Sequence, residues 1–350
     1  MKEISELLSK GVAEGDFPGS SYAIVYQNNE IDYDYMGYKQ LEPFKVLNDG
    51  SEIYDCASLT KVICTTTMAM KLIEEGKISL NTLVYDILPD FKHRHINIYH
   101  LLTHSSGLPA DIPNAKLLKN REMVLSKIFA FDLIYQPGKK IIYSDIGFIL
   151  LGLIIEKVSN KSLDIYAEEV IFKPLNMMDS SYDPNKDRSA PTEFRDDEVY
   201  KGLLKGLVHD EKAFALKGLA GHAGLFSTVK DISKFILTIL NNDEKVLKAE
   251  TVDLLFALQM KDISQNGNEI FRSLGWEKPS RGGTAGDKVS FENTILHTGF
   301  TGCNMWIDRE KGIGFVMLSN AVHPIRQRNN ILKYRNRIGN IIISSRRISR

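Results

Sequence analysis

The hydrophobic period changes twice along this chain, and the order of the changes constrains the fold more than any single motif. Residues 22–26 and 30–36 are rich in aromatic and aliphatic side chains and flank Gln27-Asn28-Asn29, the pattern of a hairpin. Residues 304–307 and 312–318 repeat that pattern near the other end, around a turn at 308–311. Helical spacing marks residues 3–14, then a long helix over 59–75 closed by Gly76. Residues 80–175 read mostly helical, broken at Leu88-Pro89, Gly107-Leu108-Pro109 and Gln136-Pro137-Gly138. Within them, residues 147–158 are apolar nearly all round, which marks a buried helix. Residues 176–215 read as irregular, and a last helix is expected over about 325–343. Strands at both ends with helices between them imply an α+β fold: an antiparallel sheet built from both termini, with a helical insertion.

Charge and length narrow the function. Lys plus Arg and Asp plus Glu both total 44, so no positive excess exists to displace counterions, and a nucleic-acid partner is not expected. The 350 residues fit two units or one large composite domain, at about 150 residues per domain. The longest apolar stretch, 147–155, falls well short of the ~20 residues a membrane-spanning helix needs. The first 15 residues are amphipathic without an apolar signal core, so the chain is expected to be cytoplasmic unless a leader was trimmed. Three cysteines, Cys56, Cys64 and Cys303, make neither a disulfide framework nor a zinc pattern. Cys56 and Cys64 read as small buried apolar residues. The basic tail, 346–350, reads as a solvated end.

Three short motifs could carry chemistry. In Ser58-Leu59-Thr60-Lys61, residues three apart share a helix face, so Lys61 can reach Ser58 and take its proton if burial or a nearby cation has made the lysine neutral. At a helix N-terminus the Ser58 N–H would also be free to bind an oxyanion. The bland reading is a helix cap. A second copy, Ser227-Thr228-Val229-Lys230, reads as a cap, with Thr228 capping and Asp231 three residues on. Tyr143-Ser144-Asp145 precedes the apolar helix, and a tyrosine beside a lysine can shuttle a proton. Its bland reading is a cap with a packed ring. His297-Thr298-Gly299-Phe300-Thr301-Gly302 leads into a strand, where glycines allow close backbone approach.

The order of these elements, with the stretches at 57–61, 100–109, 143–159, 174–182, 220–235 and 297–324, resembles the serine β-lactamase and penicillin-binding-protein-like family, in the class C branch that includes D-peptidases and esterases, and the stretch 208–228 resembles the penicillin-binding-protein-like and esterase-like members more than resistance enzymes. The resemblance implies a β-lactamase/transpeptidase-like fold in one domain, 1–350. Its sheet-containing part would be about 1–67 and 231–350, and its helical part about 68–230. It implies Ser58 as acylated nucleophile, Lys61 as its activator and Tyr143 as a proton carrier. Phe300 would donate its N–H to the oxyanion beside that of Ser58. Asp145, His297, Thr298 and Gly299 would line the substrate site, and Arg328, four residues after Pro324, would stand near a substrate carboxylate. The family needs no metal or other cofactor, and the partner expected is a small-molecule or peptide substrate.

Two departures bear on the substrate. His297 stands where the classical motif has lysine, and a histidine is only partly charged near neutral pH, which weakens carboxylate recognition. Asp145 stands where Asn is usual. A carboxylate beside Lys61 would favour the ammonium, so either Tyr143 matters more or Asp145 points elsewhere. His104 reads as structural, and so does His222, with a place on the pocket rim as its alternative; His93 and His95 read as loop residues rather than metal ligands. His209-Asp210 could suggest a Ser-His-Asp triad, but Lys61 and Tyr143 already supply a base. The expected function is hydrolytic acyl transfer on an ester, amide or D-peptide. A true β-lactamase or D,D-peptidase is the alternative, and a non-catalytic binding or sensing member the alternative of another class.

Overall fold

A six-stranded antiparallel sheet is assembled from both ends of the chain. The structure is a computed structural model and describes residues 1–345 apart from Gln265, with the Arg328 side chain also outside the described set. Its strands are β1 (Gly19–Tyr26), β2 (Ile31–Gln40), β3 (Val46–Leu47), β4 (Thr294–Thr298), β5 (Asn304–Asp308) and β6 (Ile313–Ser319). They lie in the order β4-β5-β6-β1-β2-β3, so the N- and C-terminal strand sets join where β1 pairs with β6, from Ser20 opposite Ser319 to Tyr26 opposite Ile313. The split layout expected from the two outlying strand patterns is thus the observed one.

Strand alternation sends side chains to two cores. Tyr22, Ile24, Phe315 and Met317 face one layer, formed by α1 (Lys2–Ala13) and the last helix (Leu332–Ser345). Ala23, Val25, Val316 and Leu318 face the other, into the larger core that holds the helical region. The amphipathic helix Val229–Asn241 packs on that second face, against β1 and β6. The tail at 346–350 lies outside the described residues.

Two helices of the larger core position the candidate site. The helix expected over 59–75 opens as a π-helical segment, Lys61–Thr66, before continuing as α2 (Thr67–Glu74). Such wide turns are common at functional sites. The apolar run becomes α3 (Asp145–Ser159), every residue from Ile146 to Ile155 being buried. Ser144 caps it, accepting from Gly147 N–H at 3.3 Å. Its neighbours include Ile98–Leu102 and the Lys61 segment. The region 80–175 is less continuously helical than its pattern implies. The prolines and glycines noted above separate short helices by extended loops, and those loops bring His104 and Tyr143 together.

Candidate active site

Ser58 sits on a constrained turn. The preceding Ala57 is left-handed at φ 46°, an unusual state for a residue with a side chain. The buried Asp55 carboxylate holds the turn from both sides, accepting from Ala57 N–H at 2.8 Å and His209 N–H at 2.7 Å. Ser58 does not cap its helix. Its Oγ instead accepts from Lys61 Nζ at 3.0 Å.

Lys61 is fully buried and has all three ammonium donors engaged: Ser58 Oγ at 3.0 Å, the His222 carbonyl at 3.0 Å and Asp145 Oδ1 at 2.8 Å. Burial works against its charge, but Asp145 and Tyr143 outweigh it and hold its pKa above the ordinary lysine value. Gly221 makes the carbonyl contact possible. A Cβ there would lie 2.1 Å from the Phe148 carbonyl oxygen, so only glycine lets this segment rest on α3. Thr65 Oγ1 fixes the same segment by donating to the Gly221 carbonyl at 2.6 Å.

The Asp145 carboxylate does not point elsewhere: it faces Lys61. Its second oxygen, Oδ2, pairs with Lys212 at 3.2 Å. Lys212 is itself buried, 3 % exposed at its side chain, and also contacts Asp111 at 2.8 Å and Asp210 at 2.9 Å. Asp210 in turn meets His222 Nε2 at 2.7 Å. Burial raises the Asp145 pKa, yet Lys61, His222 and Lys212 more than reverse it and leave it below the usual range. Asp145, Asp210 and His222 bring three ligand-type atoms within 4.8 Å of one another, but the Lys212 ammonium already stands between the two carboxylates.

The loop after β4 faces Ser58. Gly299 passes so close that a Cβ would lie 2.6 Å from the Cys56 carbonyl. Thr301 Oγ1 donates to the Asp55 carbonyl at 2.7 Å, tying this loop to the Ser58 turn. From behind, the buried Arg335 donates to the carbonyls of Cys303 at 2.9 Å and Gly299 at 3.3 Å. Among the described residues, no acceptor engages the N–H of Ser58 or of Phe300. Two unused donors on adjoining rigid turns are what an oxyanion site requires. The exposed Phe300 ring stacks on His209 at 5.8 Å. His209 is occupied elsewhere, its Nε2 lying 3.0 Å from Glu193.

Tyr143 lies beside Lys61, with Nζ 4.9 Å from its ring centroid, between His104 at 4.6 Å and His297 at 5.9 Å. His104 accepts from Ser144 N–H through Nδ1 at 3.0 Å, the structural role expected of it. The expectation that His297 is partly charged needs correction. Burial first, then Lys61 and Arg272, push its pKa down to about 3, so the ring is neutral. Its Nδ1–H donates to the Thr298 carbonyl at 2.9 Å, which leaves Nε2 a buried acceptor without a partner among the described residues.

A cavity of about 470 Å³ opens over Ser58, lined by Tyr143, His297, Thr298, Phe300 and Arg272 among others. Arg272 was not foreseen from the sequence. It is 6 % exposed, its Nε and Nη1 have no partner among the described residues, and Nη2 is 3.7 Å from Glu277. The other arginines of the cavity are committed: Arg335 to carbonyls, Arg326 to Glu193 and Glu211 at 2.8 Å each. Arg328 lies in the short turn Arg326–Arg328, and its side chain is outside the described residues. A second cavity, about 280 Å³, reaches Ser58 from the Asp210–Lys212 side.

Sequence reasoning singled out Ser58, Lys61, Tyr143, Asp145, His297, Thr298, Gly299 and Phe300; all of these but Lys61 line one of the two cavities, and Lys61 is buried and bonded to Ser58. The same reasoning missed Lys212, Arg272 and Arg335. The only signal for the first was its place beside the His209-Asp210 pair.

Comparison with known proteins agrees with this geometry. The sequence profile of the Beta-lactamase family matches residues 4–338. A Bacillus subtilis (strain 168) protein named N-acetylmuramyl-L-alanine amidase is 29% identical over 369 residues, spanning 92% of this chain and 81% of that one. An Escherichia coli (strain K12) protein, provisionally named a D-alanyl-D-alanine carboxypeptidase, is 34% identical over 309 residues, 77% and 69% of the two chains. The fold is shared with the octameric penicillin-binding protein homologue from Pyrococcus abyssi, at a TM-score of 0.77 and 23% identity over 99% of this chain and 77% of that one.

Proposed function

This chain belongs to the β-lactamase family of serine hydrolases, in its class C and penicillin-binding-protein-like branch, and on that premise we propose that it hydrolyses an amide bond of a peptidoglycan-derived fragment through an acyl-enzyme on Ser58. The observation that carries the reading is the 3.0 Å contact from Lys61 Nζ to Ser58 Oγ on a turn whose neighbouring N–H groups are unengaged.

Ser58 Oγ attacks the carbonyl carbon, and the oxyanion is received by the N–H groups of Ser58 and Phe300. The serine proton leaves through Lys61, with Tyr143 as the neighbouring hydroxyl that carries it to the departing amine. Water then attacks the ester along the same path and releases the acid. Because Lys61 rests as an ammonium, the neutral lysine that accepts the proton is a minority species, and acylation accelerates as pH rises.

The target bond is taken from the name of the Bacillus relative, the amide between an N-acetylmuramyl group and L-alanine. His297 is neutral and offers an acceptor rather than a charge. Arg272 contacts Glu277 at 3.7 Å and lies 5.6 Å over the Tyr143 ring, but its Nε and Nη1 have no partner among the described residues, and these would hold a carboxylate on the peptide part.

The test mixes the protein with muramyl dipeptide, N-acyl-D-Ala-D-Ala, p-nitrophenyl acetate and benzylpenicillin, wild type against Ser58→Ala, and follows both small-molecule products and intact protein mass. Release of a dipeptide amine from muramyl dipeptide, lost in Ser58→Ala, supports the proposal. A lasting penicillin adduct on Ser58, or fast penicillin turnover, with muramyl dipeptide untouched would replace it with a penicillin-binding or β-lactamase reading. Equal turnover by wild type and Ser58→Ala would remove the serine mechanism altogether.

A further inference from the structure

We propose that Lys212 is a positioning residue for the Ser58 reaction: by holding the second oxygen of Asp145 it divides that carboxylate between two ammonium groups and eases release of a proton from Lys61. The inference deepens the mechanism proposed above and rests on Ser58 being the nucleophile.

The geometry is that of a shared counter-ion. Asp145 Oδ1 is 2.8 Å from Lys61 and Oδ2 is 3.2 Å from Lys212. A carboxylate bonded to one lysine alone would concentrate its charge there and lock that lysine as an ammonium. A second buried cation on the far oxygen draws off part of that field and also repels the Lys61 charge directly, and at this burial neither effect is screened by solvent. Lys212 stays charged because Asp210 and Asp111 supply it with two further carboxylates. It does not touch Ser58, and it acts only through Asp145.

Other groups facing Lys61 are accounted for. Tyr143 and Asp145 favour its charge, Arg272 and His297 line the cavity, and the buried His104 ring packs on Tyr143 and Phe148. His222 presents a carbonyl to Lys61 and its ring to Asp210. Lys212 is thus the cation bonded directly to Asp145 besides Lys61 itself.

The test measures how fast Ser58 is phosphonylated by an alkyl fluorophosphonate between pH 6 and 10, by intact mass. The serine oxygen bonds phosphorus, fluoride leaves, and the serine proton passes to Lys61, so the rate reports the neutral lysine without a natural substrate. Lys212→Asn is expected to label roughly tenfold more slowly at neutral pH, the size of a one-unit rise in the Lys61 pKa, with its pH profile displaced to higher pH. The electroneutral double variant Asp145→Asn/Lys212→Asn removes one charge of each sign, and whatever its maximal rate the midpoint of its pH profile is expected to return toward that of wild type. A merely structural Lys212 would leave the midpoint of the double variant no closer to wild type than that of the single one, and that result overturns the proposal. So does an undisplaced profile in a folded Lys212→Asn. Should that variant fail to fold, Lys212→Arg and the double variant decide. Profile midpoints like that of wild type in both uphold the inference, and a double variant with a displaced midpoint and a wild-type melting temperature rejects it. Absence of Ser58 labelling in the wild type would fail the serine mechanism itself, a separate outcome.

Discussion

The chain contains Ser-x-x-Lys twice, and the two copies end in opposite circumstances. At Ser58 the lysine is fully buried, bonded to a carboxylate and to its serine, which lines a cavity. At Ser227 the hydroxyl pairs with Ser180 at 2.8 Å, Thr228 caps the following helix by accepting from Asp231 N–H at 3.2 Å, and Lys230 is exposed. The copies are neighbours, since Ser227 pairs across a short ladder with Tyr54, on the strand that leads into the Ser58 turn. The same four-residue spacing gives a reactive constellation in one place and a scaffold in the other. The difference lies in what tertiary structure brings to the lysine: a carbonyl from His222 and a carboxylate from Asp145 reach Lys61, and among the described residues nothing comparable reaches Lys230.

Serine substitutions test that contrast most severely. Ser58→Ala should lower kcat/KM on the best substrate by on the order of 10⁴-fold or more, as loss of a nucleophile does elsewhere. Ser227→Ala should leave kcat/KM within a few-fold and change only the melting temperature. Comparable kinetic losses in both variants would erase the distinction. Tyr143→Phe sharpens it further, because the ring that packs between His104 and His297 is retained while the hydroxyl is lost. A loss of roughly 10²- to 10⁴-fold in kcat at unchanged melting temperature is expected for a proton carrier. An unchanged kcat would leave Tyr143 a packing residue.

The surroundings of the first copy also carry a stability cost that those of the second do not. His297 has a folded pKa of about 3 against 6.5 for the free side chain. Between those values the unfolded chain takes up a proton that the folded chain refuses, so the stability contributed by neutral His297 is complete above pH 6.5 and is lost as pH falls toward 3. At pH 5 the deficit from this residue is roughly 2 kcal/mol. His104, also buried and held neutral, acts in the same direction. Urea unfolding of wild type and His297→Gln at pH 7 and pH 5 checks it, and the variant should lose less on acidification. Equal losses in the two proteins would mean that His297 is not held neutral. Arg272→Ala should have a smaller effect, roughly a tenfold rise in KM for a substrate carrying a carboxylate and little change for p-nitrophenyl acetate. Parallel changes on both substrates would mark Arg272 as structural.

These contrasts bear on how much of the molecule could be read from its residues. Ser58, Lys61 and Tyr143 were singled out because each belongs to a local motif, three residues along a helix or one position before a cap, and because the order of those motifs resembles a known family. The split sheet was legible because alternation at 22–26, 30–36, 304–307 and 312–318 survives in any context that buries one face. Lys212, Arg272 and Arg335 were not, because a buried lysine or arginine has the same letter as a solvated one, and their partners lie far along the chain. Lys212 meets Asp111 and Asp145, and Arg335 meets Gly299. The charge of His297 was misjudged for the same reason. Its neutrality follows from burial and from Lys61 and Arg272, which no motif encodes.

The smallest effect tests the scaffold reading of the second copy. Thr228 supplies the one side-chain bond that closes the N-terminus of Val229–Asn241, the helix that packs on β1 and β6. The reciprocal half of a capping box is absent, because the Asp231 carboxylate turns instead to Asp179 N–H at 2.7 Å and Ser180 Oγ at 3.1 Å. Thr228→Ala should therefore cost about 1 kcal/mol, the value of a single cap, while the helix keeps its Asp231 anchors. Lys230→Ala, on the exposed side, should stay within about 0.5 kcal/mol. Neither should alter Ser58 labelling by a fluorophosphonate. Slower labelling in Thr228→Ala at unchanged Lys230→Ala behaviour would mean that the cap is felt through the Tyr54–Ser227 ladder at the Ser58 turn, and the two copies would then be mechanically linked rather than merely adjacent.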